Sequence, residues 1–95
     1  MKFYKNKATK YHPSLEIKSD DCIWENLEVT HSPTKSNRYI ELKKNPNKNS
    51  NKKAYVKKYV RKDSIKTRGE LLRKYNLSDE DLVQIEYFLE RNKKS

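Results

Sequence analysis

Alternating apolar and polar side chains over residues 12–18 are the feature that most restricts what this chain folds into. In HPSLEIK, Leu15 and Ile17 fall on one face and polar residues fall on the other. That period of two is typical of a strand with one buried face. Pro13 has no N–H to donate, so it belongs at the start or the edge of the strand.

Three further segments continue the sheet. CIWENLEVT, residues 22–30, follows a turn at residues 19–21 and predicts a second strand. RYIEL, residues 38–42, predicts a third strand, and AYVKKYV, residues 54–60, predicts a fourth because of its β-branched and aromatic content. The side chains predicted to face the core are Ile23, Leu27, Val29, Ile40, Leu42, Val56 and Val60.

The last third of the sequence carries two helix signals. Thr67 and Glu70 have the spacing of a capping box, which predicts a helix that continues through Leu72 and Tyr75. Ser78 is a favoured N-cap, and the three acids that follow it complement the helix dipole. Strands at about 12–60 followed by helices at about 67–92 are therefore predicted.

This order predicts an α+β fold, a small curled antiparallel sheet or SH3-like barrel with C-terminal helices. Residues 12–95 form one predicted domain, because 95 residues of which 33% are hydrophobic cannot supply a second core. Residues 1–11 are predicted to be a basic N-terminal arm or an edge strand.

Positive charge is concentrated in two stretches of the chain. The net charge is +10, and residues 1–11 carry +4 while residues 43–62 carry +9. Residues 12–42 sum to −3 and residues 63–95 sum to zero. An even solubilising coat would not be distributed in this way. The pattern favours a polyanionic partner: nucleic acid, a nucleoprotein or an acidic protein surface.

Several classes of protein are disfavoured by residues that are scarce. Cys22 is the single cysteine, so neither an intramolecular disulfide nor a cysteine zinc cluster is expected. Two histidines and one glycine argue against a metal site and against a phosphate-cradling loop. No signal-peptide pattern and no apolar run of about 18 residues is present. We predict a cytoplasmic protein without metal, cofactor or membrane association.

One end of the predicted hairpin gathers candidate catalytic residues. If residues 12–18 pair with residues 22–30, His12 and His31 fall at the same end, beside Thr30. Imidazoles there could exchange protons near neutral pH, and Arg38 would be within reach to neutralise a phosphate. The alternative is that both histidines are exposed strand-end residues without a catalytic role.

The basic stretch 43–62 divides into a loop and a strand. KKNPNKNSNKK is predicted to be a mobile charged loop, whereas AYVKKYVRK alternates tyrosine with lysine. Aromatic rings stack on unpaired bases while cations hold the backbone; alternatively, the rings pack beneath lysine stems. The predicted nucleic-acid-binding residues are Lys43, Lys44, Lys52, Lys53, Tyr55, Lys57, Lys58, Tyr59, Arg61 and Lys62.

The succession HPSLEI, LEVTHSPTKSNRYIEL, KAYVKKYVRKDSI and LSDEDLVQIEYFL resembles the MazF/PemK family of toxin endoribonucleases over about residues 10–91. The resemblance implies an SH3-like barrel, a homodimer, a toxin–antitoxin context and metal-independent cleavage of single-stranded RNA. It places Thr30 in the active site and His12 where the family has arginine before proline. MKFYKNKATK departs from the apolar first strand of the family.

Three functions therefore stay open. The first is an RNA-directed protein, either a ribonuclease or a catalytically silent relative. The second is a non-catalytic DNA- or RNA-binding module, with residues 67–91 as a helix-turn-helix whose acidic second helix disfavours base reading. The third is a phage or mobile-element inhibitor or accessory protein that binds a nucleoprotein such as a CRISPR effector. The lysine- and asparagine-rich composition indicates an AT-rich bacterial, phage or mobile-element source.

Overall fold

The computed structural model describes residues 1–34 and 36–93, so Lys35 and the last two residues of the predicted domain lie outside the described part. Over the described residues the chain forms seven strands and one α-helix. These are β1 (Phe3–Asn6), β2 (His12–Ser19), β3 (Ile23–Thr30), β4 (Tyr39–Glu41), β5 (Tyr55–Lys57), β6 (Arg61–Ser64), β7 (Arg68–Leu71) and α1 (Asp79–Lys93).

The strands pair in the order β4-β5-β3-β2-β1-β7, and β6 also pairs with β3. Every one of these pairings is antiparallel. Over the described residues no pairing joins β4 to β7, so the sheet does not close into a barrel. The predicted α+β architecture, a small curled antiparallel sheet with a C-terminal helix, is confirmed.

Strand β3 is the centre of the sheet because it pairs along both of its edges. Along one edge, residues 24–28 of β3 pair with β2, as the predicted hairpin requires. Its other edge pairs first with β6, with Asn26 opposite Arg61, and then with β5, with Val29 opposite Val56. The two registers differ by two residues, so residues 58–60 bulge out between β5 and β6. The predicted continuous strand over residues 54–60 is therefore interrupted at Lys58.

The apolar core lies between one face of this sheet and α1. Ile85 of α1 is fully buried against it. The other buried hydrophobic residues of the cluster are Phe3, Leu15, Leu27, Val29, Ile40, Leu42, Ala54 and Val56. Five of the seven residues predicted to face the core from the later strands are thus confirmed as buried, and Val60 is partly buried against the cluster. Ile23 is 45% exposed, because the β2–β3 register shifts between Glu16 and Lys18 and breaks the alternation near the turn.

The N-terminal segment is an interior strand and not the predicted arm or edge. Strand β1 lies between β2 and β7, with Phe3 opposite Leu15. Phe3 is 1% exposed on the apolar face, and Asn6 is fully buried on the opposite face. Both ends of this short strand are therefore built into the interior.

The first predicted helix is wrong, since residues 68–71 form strand β7. The Thr67 hydroxyl accepts a hydrogen bond from Trp24 Nε1 (3.0 Å) and donates one to the Ser64 carbonyl (2.6 Å), so it is not a helix cap. Gly69 lies close to β1: a Cβ there would be 2.8 Å from the Lys5 carbonyl oxygen. The capping-box pattern thus coincides with an edge strand whose backbone approach requires glycine.

The second predicted helix is confirmed as α1. Ser78 caps it, because its hydroxyl accepts the Asp81 N–H at 3.2 Å. Val83 is 65% exposed on α1, and Tyr87 on the next turn is 64% exposed. Within the described part of the chain, no helix is long and apolar enough to cross a membrane.

Candidate functional site

A layer of buried polar side chains covers the face of the sheet opposite the apolar core. Asn6, Ser14 and Asn26 come from three adjacent strands and are all fully buried. Asn6 Nδ2 lies 3.3 Å from Ser14 Oγ, from Asn26 Oδ1 and from Asp63 Oδ2. Asn26 Nδ2 donates to the same Asp63 oxygen at 2.9 Å. Strands β1, β2, β3 and β6 are therefore joined by side chains as well as by backbone.

Asp63 and Arg61 complete this layer as a bidentate ion pair. The Arg61 guanidinium donates from Nε and from a terminal nitrogen to the two Asp63 oxygens, each at 3.0 Å. Burial raises the pKa of Asp63, but hydrogen bonds from Arg61, Asn26 and Asn6 outweigh burial and hold the pKa below its ordinary value. The hydrogen bond to Asp63 raises the pKa of Arg61. Because both donating sides of the Arg61 guanidinium are used by Asp63, we do not include Arg61 in the candidate nucleic-acid interface.

The two histidines and Thr30 border one cavity at the end of the sheet. The β2–β3 register, with Ser14 opposite Glu28, places His12 opposite Thr30 when it is extended by two residues. The cavity has a volume of about 260 Å³. Its lining residues are His12, Pro13, Val29, Thr30, His31, Ser32, Asn45 and Tyr75. The structure thus brings together three of the four predicted catalytic residues; we call this space the histidine cavity.

Hydrogen bonding selects the tautomer of the neutral His31 imidazole in the histidine cavity. His31 Nδ1 lies 3.0 Å from the Lys53 carbonyl oxygen. A carbonyl only accepts, so Nδ1 carries the hydrogen and the neutral ring presents Nε2 as an acceptor. The Thr30 hydroxyl accepts the Ser32 N–H at 3.1 Å, which orders the turn after β3. Among residues 1–34 and 36–93, no three His, Cys, Asp or Glu side chains are grouped to hold a metal ion.

The asparagine side chains of the lysine loop, residues 43–53, form a series of hydrogen bonds to its backbone. Asn45 Oδ1 accepts the Asn47 N–H at 2.9 Å, and Asn47 Oδ1 accepts the Asn49 N–H at 3.1 Å. Asn45 Nδ2 then reaches across the loop to the Lys52 carbonyl at 3.0 Å. Successive Asx turns of this kind give a loop local structure without a sheet or helix. The spacing Asn45-x-Asn47-x-Asn49 is the sequence signal for these turns, which charge and composition alone do not reveal.

Helix α1 holds the start of the lysine loop. The buried Asp81 carboxylate accepts the Lys43 N–H at 2.7 Å and the Lys44 N–H at 3.1 Å. Pro46 is buried, and its carbonyl accepts the Asn76 N–H at 3.0 Å. The loop is therefore tied to the body of the protein at its base, and its lysine side chains project from a fixed backbone.

Five lysines surround a second cavity, of about 480 Å³, at the lysine loop. They are Lys43, Lys44, Lys48, Lys52 and Lys53. Glu41 is the acid in its lining, and its nearest contact to Lys53 Nζ is 4.0 Å. Asn45 borders both this cavity and the histidine cavity, and Lys53 contributes the carbonyl that orients His31. The lysine loop and the histidine cavity are thus contiguous; sequence reasoning omitted Lys48 and Asn45.

Comparisons with protein-family models, with curated proteins and with solved structures found no match to this chain. No relative therefore tests the resemblance to the MazF/PemK family. It stays a prediction, and the geometry of the described residues has to carry the functional argument.

Arg38 lies apart from the histidine cavity. It lines a different cavity, of about 480 Å³, with Asn37, Lys57, Lys58 and Tyr59. Thr30 pairs with Tyr55, which pairs with Glu41 at the far end of β4 from Arg38. Three residues of strand separate Arg38 from Glu41, roughly 10 Å. The prediction that Arg38 reaches the same end as the histidines is wrong, because β5 lies between β3 and β4.

Strand β5 connects the lysine loop with the cavity that Arg38, Lys57 and Lys58 line. Val56 is buried, and its neighbours Tyr55 and Lys57 alternate with it, as the sequence predicts. Beyond the bulge, Tyr59 is 59% exposed with Lys57 Nζ 6.0 Å from its ring centroid. Lys62 is exposed on β6 opposite Glu25, toward the β2–β3 turn. Of the ten predicted binding residues, eight therefore lie along the lysine loop, β5 and the bulge.

Proposed function

We propose that this protein binds single-stranded nucleic acid across the lysine loop and β5, with RNA as the favoured form. The observation that carries the proposal is the lysine-lined cavity beside the histidine cavity. Four of its lysine side chains, those of Lys43, Lys44, Lys48 and Lys52, form no ion pair within 4 Å among the described residues. Such a concentration of free ammonium groups attracts phosphates and releases their counterions on binding.

The order of the lysine loop supports binding to a polymer of phosphates. Asp81 and the Asx turns fix the loop backbone, so little backbone entropy is lost when the lysines engage a ligand. Beside the loop, Tyr55 and Lys57 on β5 lead to Lys58 and Tyr59 at the bulge. Alternating cations and rings match the repeating phosphates and bases of an unpaired strand.

Binding to short RNA tests this proposal. A fluorescently labelled, unstructured oligonucleotide is titrated with the wild-type protein and with a variant that replaces Lys43, Lys44, Lys52 and Lys53 by alanine. We expect the variant to lose on the order of tenfold or more in affinity, since four phosphate contacts disappear. Fluorescence anisotropy measures both dissociation constants.

A matched variant controls for net charge. Lys2, Lys18, Lys62 and Lys66 are exposed, and none of them lines the lysine-loop cavity or the histidine cavity, so their replacement by alanine removes the same charge. We expect this variant to retain most of the affinity. Equal losses in both variants would contradict a localised site. Failure of the wild-type protein to bind RNA would contradict the proposal and favour a protein partner on a nucleoprotein.

The helix-turn-helix alternative lacks its first helix, because residues 68–71 are strand β7.

Metal-independent RNA cleavage in the histidine cavity is a second candidate function. The observation that favours it is that both histidines and Thr30 line the same cavity. In the reaction, the ribose 2′-oxygen would attack the adjacent phosphorus while the bond to the 5′-oxygen breaks. One imidazole would accept the 2′-OH proton and the other, protonated, would donate a proton to the leaving 5′-oxygen. The products would be a 2′,3′-cyclic phosphate and a 5′-hydroxyl.

His31 is suited to the role of base in this scheme. Its Nδ1–H donates to the Lys53 carbonyl, which leaves Nε2 with a free lone pair. His12, at the start of the neighbouring strand β2, lines the same cavity and would act as the acid. Ammonium groups of the adjoining lysine loop would stabilise the charge that builds on the phosphorane oxygens.

Cleavage of a long unstructured RNA tests the second candidate. We expect the wild-type protein to release fragments with cyclic phosphate ends, and His12→Ala and His31→Ala each to lower the rate by about 10²-fold or more. Thr30→Ala should also lower the rate. Gel electrophoresis with end-group analysis gives the measurement. Intact RNA at every wild-type protein concentration would leave binding as the function and contradict catalysis.

A further inference from the structure

A groove lies between helix α1, strand β4 and the bulge that follows β5. Its volume is about 580 Å³. Its lining residues are Ile40, Lys58, Gln84, Tyr87, Phe88, Arg91 and Asn92. Clefts of about 300–1,000 Å³ are typical of ligand-binding sites. The groove, which we call the α1 groove, is therefore large enough to receive side chains of another molecule.

Apolar side chains form the base of the α1 groove and continue along the helix. Ile40 is buried in the core cluster, and Phe88 is half-buried against that cluster. Tyr87, which also lines the groove, is 64% exposed, and Val83 is 65% exposed four positions earlier on α1. Residues four positions apart share one face of a helix. Apolar surface therefore extends from the groove onto the outer face of α1, as it does at sites of contact with other molecules.

Cationic side chains border the same groove. Lys58 and Arg91 line it, and Lys58 also lines the adjoining cavity with Arg38 and Lys57. No acidic side chain of the described part of the chain lines either cavity. In that part, none of the four cations forms an ion pair within 4 Å. The α1 groove thus combines an apolar base with positive charge that the described residues do not neutralise.

Two side chains at the helical side of the groove hold each other in place. Arg91 Nη1 donates a hydrogen bond to the Tyr87 hydroxyl at 3.0 Å, and the guanidinium carbon lies 5.6 Å from the centre of the tyrosine ring. Because each restricts the other, less side-chain entropy is lost when a ligand contacts them. Tyrosine and arginine are also enriched among the residues that contribute most to the stability of protein–protein interfaces.

Charge and apolar surface together select the kind of molecule that fits the α1 groove. A second copy of this chain would bring one net charge of +10 against another, which opposes association. Interfaces with nucleic acid are strongly polar, whereas this groove has Ile40 and Phe88 at its base and continues to Val83. A protein segment that carries both carboxylates and a large apolar side chain is complementary to both properties of the groove.

We propose that the α1 groove docks an acidic segment of a partner protein. A large apolar side chain of that segment packs against Ile40 and Phe88, and its carboxylates pair with Lys58 and Arg91. The α1 groove shares no lining residue with the histidine cavity or with the cavity at the lysine loop. The inference therefore does not depend on the proposed binding of nucleic acid.

Binding of synthetic acidic peptides tests the proposal. The probes are short fluorescein-labelled peptides of aspartate, glutamate and serine with a central phenylalanine or leucine, and the matched peptides have serine at the central position. We expect saturable binding of the phenylalanine or the leucine peptide. The serine peptides should bind about tenfold or more weakly, the effect of losing one buried apolar side chain. Fluorescence anisotropy measures the dissociation constants.

A double variant, Tyr87→Ser with Arg91→Glu, removes one ring and reverses one charge at the α1 groove. We expect it to bind the apolar acidic peptide about tenfold or more weakly than the wild type and to bind RNA as the wild type does. The matched control, Tyr11→Ser with Arg73→Glu, makes the same chemical changes at exposed residues that do not line the groove. This control should keep the wild-type affinity for the peptide.

Several results would overturn this inference. They are absence of saturable binding to both apolar peptides, equal affinity for the peptides with and without the apolar side chain, and equal losses in the double variant and its control. Displacement of the peptide by RNA, with weaker RNA binding by the double variant, would assign the α1 groove to nucleic acid instead. Self-association of the wild-type protein that the double variant loses would assign the groove to a second copy of the chain.

Discussion

Replacing Asp63 by alanine is expected to lower the free energy of unfolding by about 2–4 kcal/mol, below the range for a fully buried ion pair because the Arg61–Asp63 pair is only partly buried. The change leaves the Arg61 guanidinium without its carboxylate and removes an acceptor from Asn6 and Asn26. A domain of this size has a total stability of only about 5–15 kcal/mol. The Asp63→Ala variant should therefore be close to unfolded in mild urea.

The fluorescence of Trp24 provides the measurement for Asp63→Ala. Trp24 is the single tryptophan and is fully buried, so urea unfolding changes its environment completely. Asp63→Asn, which keeps the shape and one oxygen acceptor, is the matched control and should lose less stability. An unchanged urea midpoint in Asp63→Ala would contradict the structural role of the polar layer.

Asp63 also gives the stability a pH dependence of known sign. Its folded pKa lies below the ordinary value of 3.8, so the unfolded chain takes up its proton first as the pH falls. The stabilisation is present above about pH 4 and is lost as the pH falls through the folded pKa. The difference in stability between wild type and Asp63→Asn should therefore shrink below about pH 4.

Asp81→Ala is expected to lower the free energy of unfolding by about 2–4 kcal/mol and to loosen the start of the lysine loop. Hydrogen bonds to a charged group are worth about 1.5–3 kcal/mol each, and unpaired buried donors add a penalty. The Asp81 carboxylate accepts two backbone N–H groups, those of Lys43 and Lys44. Amide hydrogen exchange at these two residues should accelerate in the variant.

Asp79→Ala is the matched control for this prediction. Asp79 belongs to the same first turn of α1 but is exposed, so its loss should remove only about 0.3–1 kcal/mol of helix-dipole stabilisation. If Asp81→Ala and Asp79→Ala have the same stability and the same exchange rates at Lys43 and Lys44, then Asp81 does not anchor the lysine loop.

The parts of the fold that the sequence predicts are those whose signals are local. The hairpin of β2 and β3 follows from alternation on both sides of a short turn, and Asp20 in that turn accepts the N–H groups of Cys22 and Ile23. Helix α1 follows from the Ser78 cap and the acids behind it. Each of these features is decided by residues within a few positions of each other.

The errors arise where distant segments compete with a local preference. Residues 67–70 match a capping box, but they lie beside β1, where the close approach of Gly69 to Lys5 stabilises a strand. β1 itself looks like a polar arm because one of its faces is buried against asparagine and serine. The Asn6 side-chain oxygen accepts the local Ala8 N–H, but its amide nitrogen contacts partners on β2, β3 and β6, which no local pattern in the sequence predicts.

The candidate site likewise has a part that the sequence predicts and a part that only the fold reveals. His12, Thr30 and His31 meet because one hairpin register places them together, and that register can be read from the alternation. Arg38 does not join them, since β5 inserts between its strand and β3. The order of the lysine loop depends on Asp81, which lies about 37 residues further along the chain. Charge composition predicts a polyanion partner, but only the fold shows that the lysines surround one cavity.

The central claim, that the lysine loop holds the phosphates of an unpaired strand, is tested most directly by the salt dependence of RNA binding. For single strands, the logarithm of the binding constant falls with the logarithm of salt concentration by about 0.7 for each phosphate neutralised. Replacing Lys43, Lys44, Lys52 and Lys53 by alanine should therefore flatten the wild-type slope by about 3. A slope that is the same in the variant and the wild type would contradict the claim.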